Sequence, residues 1–243
     1  MFWKDTKGLA GVPVSSKVAL TIFLLVAGVG YLLGFLNIYL SYSPVDQKPG
    51  MSIADIRMSF WGAREGTKLE KSVDGSMRQY FASDADHAKV KDWIVAGASK
   101  EGYDAGAATI FSTSCVTCHS AEARVGDVVM ASYDDLKPLL AQDTGKSVSR
   151  LVSLSHTHVL ATLPVIFMLA LIFSFTRFGE PLKTVVMGFS AAAIVLDVGT
   201  WWLAKLAGPL AFTVLLGGIS LALSFLVLIL LSLYDMWIAK SRS

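Results

Sequence analysis

Cys115-Val116-Thr117-Cys118-His119 decides what fold the middle of this chain can adopt. The spacing C-x-x-C-H sets two thiols on one turn of helix toward the same porphyrin edge, while the adjacent histidine reaches the iron. The sequence has no other cysteine. A zinc site would need further Cys or His ligands at matched spacing, and no second C-x-x-C exists. A thioredoxin-like dithiol follows a strand in a βαβ pattern, and Tyr103 to Ser120 carries no such rhythm. A disulfide between Cys115 and Cys118 would close too small a loop to constrain the unfolded chain much. The expected cofactor is one covalent haem c.

Immediately outside the motif, Ile110-Phe111 precede Cys115 and Ser120 follows His119. This pattern resembles the haem-attachment helix of small class I-like c-type cytochromes, over about one tenth of the chain. The resemblance implies a membrane-anchored monohaem cytochrome in which Cys115 and Cys118 hold the cofactor and His119 ligates its metal. It also implies a distal methionine downstream of the motif, which favours Met130, eleven residues beyond His119. Met51, Met58 and Met77 are further thioether candidates, and His87 is the histidine alternative. With Asp86 and Lys89 close by on a charged helix, His87 reads as a solvated side chain.

The motif lies in a polar stretch, residues 43–150, with 13 Lys and Arg against 15 Asp and Glu. Ser52-Ile53-Ala54-Asp55 predicts an N-cap and a short helix through Ser59, and Ser83 to Asp86 does the same for a helix to about Ala98. A third helix, Asp104 to about Ser120, should carry the motif, and a fourth, Ser132 to Leu140, is interrupted by Pro138. So few apolar residues make a poor core alone, which points to a mostly helical domain packed around a large apolar cofactor.

The rest of the chain is of another kind. The 243 residues are 53% hydrophobic and only 16% charged, with a mean hydropathy of +0.56, and the apolar excess is gathered in blocks. A net charge of +2 without a basic run excludes nucleic acid as a partner class. Val18 to Leu40 holds 23 residues without a charge, enough to cross a lipid bilayer, and reads as an uncleaved signal anchor. Gly30 and Gly34 within it could admit a second helix. Leu151 to Phe175, Thr184 to Ala204 and Pro209 to Tyr234 are three more spans, with Pro164 a kink site and Trp201-Trp202 an interfacial belt. The expected fold is all-α: residues 1–42 carry the N-terminus and span 1, residues 43–150 form a cytochrome c-like domain between spans 1 and 2, and residues 151–243 carry spans 2 to 4.

Lys4, Lys7, Lys17, Arg177, Lys183, Lys240 and Arg242 all flank one face of a four-span bundle. The positive-inside rule makes that face, with both termini, cytoplasmic. The motif then lies in the periplasm of a bacterial inner membrane, where the resemblance also puts haem attachment.

Ionisable residues inside a span are costly and are by default functional hypotheses. His158 and Asp197 each lie about seven residues, or roughly 10 Å, from the outer ends of neighbouring antiparallel spans, so they can meet. His156 and His158 point about 200° apart on a helix. The last two spans have no histidine, which argues against an internal b-type haem. His158–Asp197 is either a hydrogen-bonded clip between helices or part of a quinone pocket where His156 or His158 takes a proton and Asp197 relays it outward.

The leading expectation is electron transfer between the quinone pool, or a membrane partner, and a periplasmic electron-transfer protein. An anchor and relay subunit of a larger respiratory oxidoreductase, and an open-site haem that captures a gas, are the alternatives.

Overall fold

The computed structural model describes residues 8–43, 45, 49–123, 125 and 128–239. Lys4, Lys7, Lys240 and Arg242, on which part of the topology argument rests, lie outside them. The described residues are all-helical, with a single isolated bridge between Thr67 and Gln142 in place of any strand. The chain divides into two compact units. One contains the segment up to Ser41 and the segment from Lys146 on, and the other is Tyr42–Gly145.

The first unit holds the four helices long and apolar enough to cross a membrane: α1 (Val14–Tyr42), α8 (Val148–Ser174), α9 (Glu180–Leu206) and α10 (Phe212–Leu233). The last is lengthened by the 3-10 turn Gly208–Ala211 before it and a π-turn, Tyr234–Ile238, after it. Leu24, Leu169, Phe173, Ile194, Phe225 and Leu228 form the heart of their shared core. Many other apolar side chains, such as Ile22, Leu33, Phe167 and Val195, stay exposed. For helices of this length their solvent is lipid.

Helix α1 buries only 6% of its most apolar stretch against 22–33% in the other three, so it packs least. Neither Gly30 nor Gly34 meets another part of the chain. Pro164 lies within α8, which stays one helix from Val148 to Ser174. At one end of the bundle the fully buried Asp235 ties three segments together. It accepts from Leu9 N at 2.8 Å and from Arg177 N and Nε at 3.2 and 3.0 Å, and Arg177 Nη2 also donates to the Ala239 carbonyl at 2.8 Å. A carboxylate taken out of water is tolerated only with such partners.

The second unit contains α2 (Ile53–Phe60), α3 (Lys68–Asp74), α4 (Asp84–Val95), the turn α5 (Lys100–Gly102), α6 (Ala108–Ser114) and α7 (Tyr133–Leu136). Serine caps open α2, α4 and α7 as their sequences predict, with full capping boxes at Ser52–Asp55 and Ser132–Asp135. Pro138 converts the end of α7 into the 3-10 turn Lys137–Leu139. The sequence reading missed α3, although Thr67 and Glu70 form a third capping box.

Two expectations are corrected here. The motif helix stops at Ser114, and Cys115 to His119 form a turn closed by Cys118 N and His119 N donating to the Cys115 carbonyl at 3.1 and 3.0 Å. Cys115 leaves helical geometry at φ −117°, and the β-branched Val116 and Thr117 that follow lose side-chain freedom in a helix. The domain also ends at Gly145, not Arg150, because Ser147 caps α8 by accepting from Arg150 N.

The two ends of the unit are clasped together. Arg64 N donates to the Asp143 carbonyl at 3.1 Å, Asp143 N to the Gly66 carbonyl at 3.2 Å and Lys68 N to the Ala141 carbonyl at 3.1 Å. Gly62 and Gly145 stand back to back at the clasp, both at positive φ (91° and 68°), and a Cβ on Gly145 would fall 2.4 Å from the Phe60 carbonyl oxygen. Gly145→Ala is expected to lower the stability of this unit by about 1–3 kcal/mol. Gly97→Ala, also at positive φ but facing open space, should cost less. Urea midpoints of the two full-length variants check this, and equal midpoints would contradict it.

Candidate functional site

The core of the Tyr42–Gly145 unit is aromatic. Trp93, Tyr103 and Phe111 form a triangle with ring centroids 5.8–6.0 Å apart, and Trp93 Nε1 donates to the Ser99 carbonyl at 2.9 Å. That cluster fixes α6 and delivers the turn after it into an apolar cleft of about 150 Å³. Cys115, Cys118 and His119 line it together with apolar walls from Leu69, Val73 and Phe111. Met77 and Met130 line it too, while Met51 and Met58 do not.

His119 is held in one orientation. Its Nδ1 lies 3.3 Å from the Val128 carbonyl, and its own carbonyl accepts from Met130 N at 2.8 Å. A carbonyl beside Nδ1 selects the tautomer protonated there, leaving Nε2 with its lone pair, which is how a metal-ligating histidine is prepared. The sequence gives no sign of this partner, because any residue supplies a carbonyl.

Cys115 is half-buried, Cys118 is exposed, and both are free thiols. Burial, with the neighbouring Cys118 thiol, pushes the Cys115 thiol up to about 11. That is the opposite of the depressed value that activates a redox dithiol. Among the described residues no three His, Cys, Asp or Glu side chains converge as ligands of a bare metal ion. Two thiols and one oriented imidazole on an apolar cleft instead suit a flat apolar group, gripped at its edge and ligated from one face. The residues present therefore fit a covalently attached haem.

His87 is not part of the cleft. The structure corrects its reading as a solvated side chain: it is 8% exposed, sits edge-on to Phe81 at 5.4 Å, and its Nε2 lies 3.2 Å from Asp74 Oδ1. Lys91 Nζ reaches the other carboxylate oxygen at 2.8 Å. Asp74 thus pins the end of α3 to α4.

The second constellation lies among the spans. His158 on α8 and Asp197 on α9 meet as their depths predict, with Nε2 3.0 Å from Oδ2. The contact lies outside the angular range of a hydrogen bond, so His158 Nε2 is buried and imperfectly satisfied. The ring also packs against Trp201 at 5.0 Å between centroids. Trp202 Nε1 donates to Ser155 Oγ at 3.1 Å, which locks the same ends of α8 and α9. His156 is exposed on another face of α8 and does not join the pair.

Asp197 itself is 5% exposed. Helix α10 comes this close because of Gly217, where a Cβ would lie 2.7 Å from Asp197 Cα and 2.7 Å from Thr200 Oγ1. Tyr31 of α1 stacks on Phe225 at 4.6 Å and donates its hydroxyl to the carbonyl of Gly218, the residue after Gly217, at 3.1 Å. The sequence reading missed Tyr31, although a tyrosine hydroxyl near the middle of an uncharged span was a signal.

Residues 143–243 match a family model described as a transmembrane helical domain. That stretch contains α8, α9 and α10, including His158 and Asp197, and supports a multi-pass membrane protein. No curated protein and no solved structure matches the chain.

Proposed function

We propose that this chain is a membrane-bound monohaem c-type cytochrome that carries electrons between the quinone pool and a periplasmic redox protein. The observation that supports this most is the cleft in which Cys115, Cys118 and His119 stand together with His119 Nδ1 beside the Val128 carbonyl. When bound, the haem supplies one-electron redox chemistry. Cys115 and Cys118 would hold it by thioether bonds, His119 would ligate its iron, and the apolar walls of Leu69, Val73 and Phe111 would exclude water.

At the membrane, the His158–Asp197 pair is suited to accept a hydroxyl proton from a quinol and pass it outward, since an imidazole can take up a proton and a carboxylate oxygen lies 3.0 Å from it. Oxidation of one quinol releases two electrons and two protons, so it would need two one-electron acceptors, either two copies of this chain or one copy and a partner's centre. The positive flanks read from the sequence favour a periplasmic location for residues 42–145 and cytoplasmic termini.

A second reading, an anchor and relay subunit of a larger respiratory oxidoreductase, is favoured by the surface of α1, where Gly30 and Gly34 are open to a further helix. One experiment tests the proposal first. The denatured chain from a host competent for haem attachment should carry the mass of one haem c and stain for haem. A short-chain quinol should then reduce two such chains per molecule. A chain with no added tetrapyrrole mass refutes it.

A further inference from the structure

Resting on the reading of Cys115–His119 as the haem-attachment site, we propose that Met77, from the segment upstream of the motif, is the sixth ligand of the iron. Met130, the methionine favoured by its order in the chain, then belongs to the His119 side of the ring.

The argument starts from the imidazole. Its two nitrogens point in opposite directions, and His119 Nδ1 faces the Val128 carbonyl at 3.3 Å. A metal on Nε2 therefore lies away from Val128, and its sixth ligand must come from farther still, across the ring plane. Met130 is anchored at the wrong end of that line. It lies two residues from Val128, its N–H donates to the carbonyl of His119 at 2.8 Å, and Val125 N donates to the Cys118 carbonyl at 3.0 Å. The chain around Met130 thus runs beside the backbone of the ligating histidine. Met130 is 6% exposed and packs with Phe111 and Leu136 where it lines the cleft, on the segment tied to the His119 backbone.

Met77 enters the cleft on a different segment, the one between α3 and α4. Its N–H donates to the Ser72 carbonyl at 3.0 Å, and the 3-10 turn Arg78–Tyr80 follows directly. The segment is held from below by Asp74, which takes Lys91 at 2.8 Å and contacts His87 at 3.2 Å. A firm backbone with an unbranched, adaptable thioether is a good support for a soft ligand. Tyr80, which also lines the cleft, is 59% exposed, and the Ser72 hydroxyl there is turned back to donate to the Lys68 carbonyl at 3.0 Å. Methionine ligation raises the potential of the couple relative to histidine. A quinol-linked carrier benefits from that, because its acceptor must lie above the donor.

The test uses full-length, haem-loaded protein in detergent. The ferric wild type should show the near-infrared band of sulfur-to-iron charge transfer, and Met130→Leu should keep it. Met77→Ala should lose the band and open the site, so that its ferrous form binds CO at least tenfold faster than wild type. Met77→His should lose the band yet stay low-spin, with a lowered potential, and it decides the matter if Met77→Ala retains no haem. A Met77 variant that keeps the band, a Met130→Leu protein that loses it, or a haem-bearing wild type without it overturns the assignment alone. A wild type that carries no covalent haem overturns the reading beneath it.

Discussion

Replacing Cys115 and Cys118 together with serine is expected to abolish covalent haem altogether, the largest effect that any small change in this chain should produce. The denatured double variant should lack the tetrapyrrole mass and the haem stain, while each single variant keeps one thioether and a weakened stain. The physical reason is that, in the function proposed, the two thiols would be the sole covalent attachment, and what remains in the cleft is one imidazole, the thioethers of Met77 and Met130, and apolar walls. The second consequence is on stability. Leu69, Val73 and Phe111 wall the cleft, and an occupant packed on them would add to the apolar core of the unit. A group that binds only the native state stabilises it by mass action, and a covalent one does so at very high effective concentration. The double variant should therefore melt earlier than the haem-loaded wild type, as followed by the fluorescence of Trp93 and its neighbours. His119→Ala separates the two roles: it should retain the haem mass but lose the low-spin spectrum. A double serine variant with undiminished haem mass would refute thioether attachment at these positions.

What could be seen in the sequence and what could not divides along physical lines. The four spans were legible because a bilayer demands about twenty apolar residues in a row, whatever surrounds them. The caps at Ser52, Ser83 and Ser132 were legible because the donors at a helix start need a side-chain oxygen nearby. The box at Thr67 and Glu70 was equally visible and was passed over. His158 and Asp197 could be paired from depth alone, since rise per residue fixes level in an antiparallel helix pair. Rotation of one helix about its axis relative to another follows from packing, so Tyr31 went unseen and Gly217 gave no hint of its close approach to Asp197. His87 was misjudged because charged neighbours along the chain say little about burial when Asp74 comes from another helix. The tie between Met130 and His119 is a main-chain hydrogen bond, which carries no side-chain signature at all.

Among the spans, Asp197→Asn is expected to slow quinol-driven haem reduction by about 100-fold or more while leaving the dithionite-reduced spectrum unchanged, the range seen when a positioned acid or base is removed. Asparagine preserves size and hydrogen-bonding capacity but cannot take up a proton, so packing of α9 against Gly217 should survive. His158→Ala should slow the reaction to a similar degree, because its Nε2 and the carboxylate lie 3.0 Å apart and would act on one proton. Residues acting as a unit are non-additive, so the double variant should be little slower than either single one. His156→Ala supplies the contrast: exposed on another face of α8, it should react as wild type does. A mere clip between helices makes a different prediction. Asp197→Asn would then lower the melting temperature of the bundle and leave the quinol rate alone, whereas a proton-handling site shows the rate falling with the melting temperature held. An unchanged quinol rate in the Asp197→Asn, His158→Ala double variant would assign the pair to structure and move the quinone, if one binds, to another part of the membrane surface.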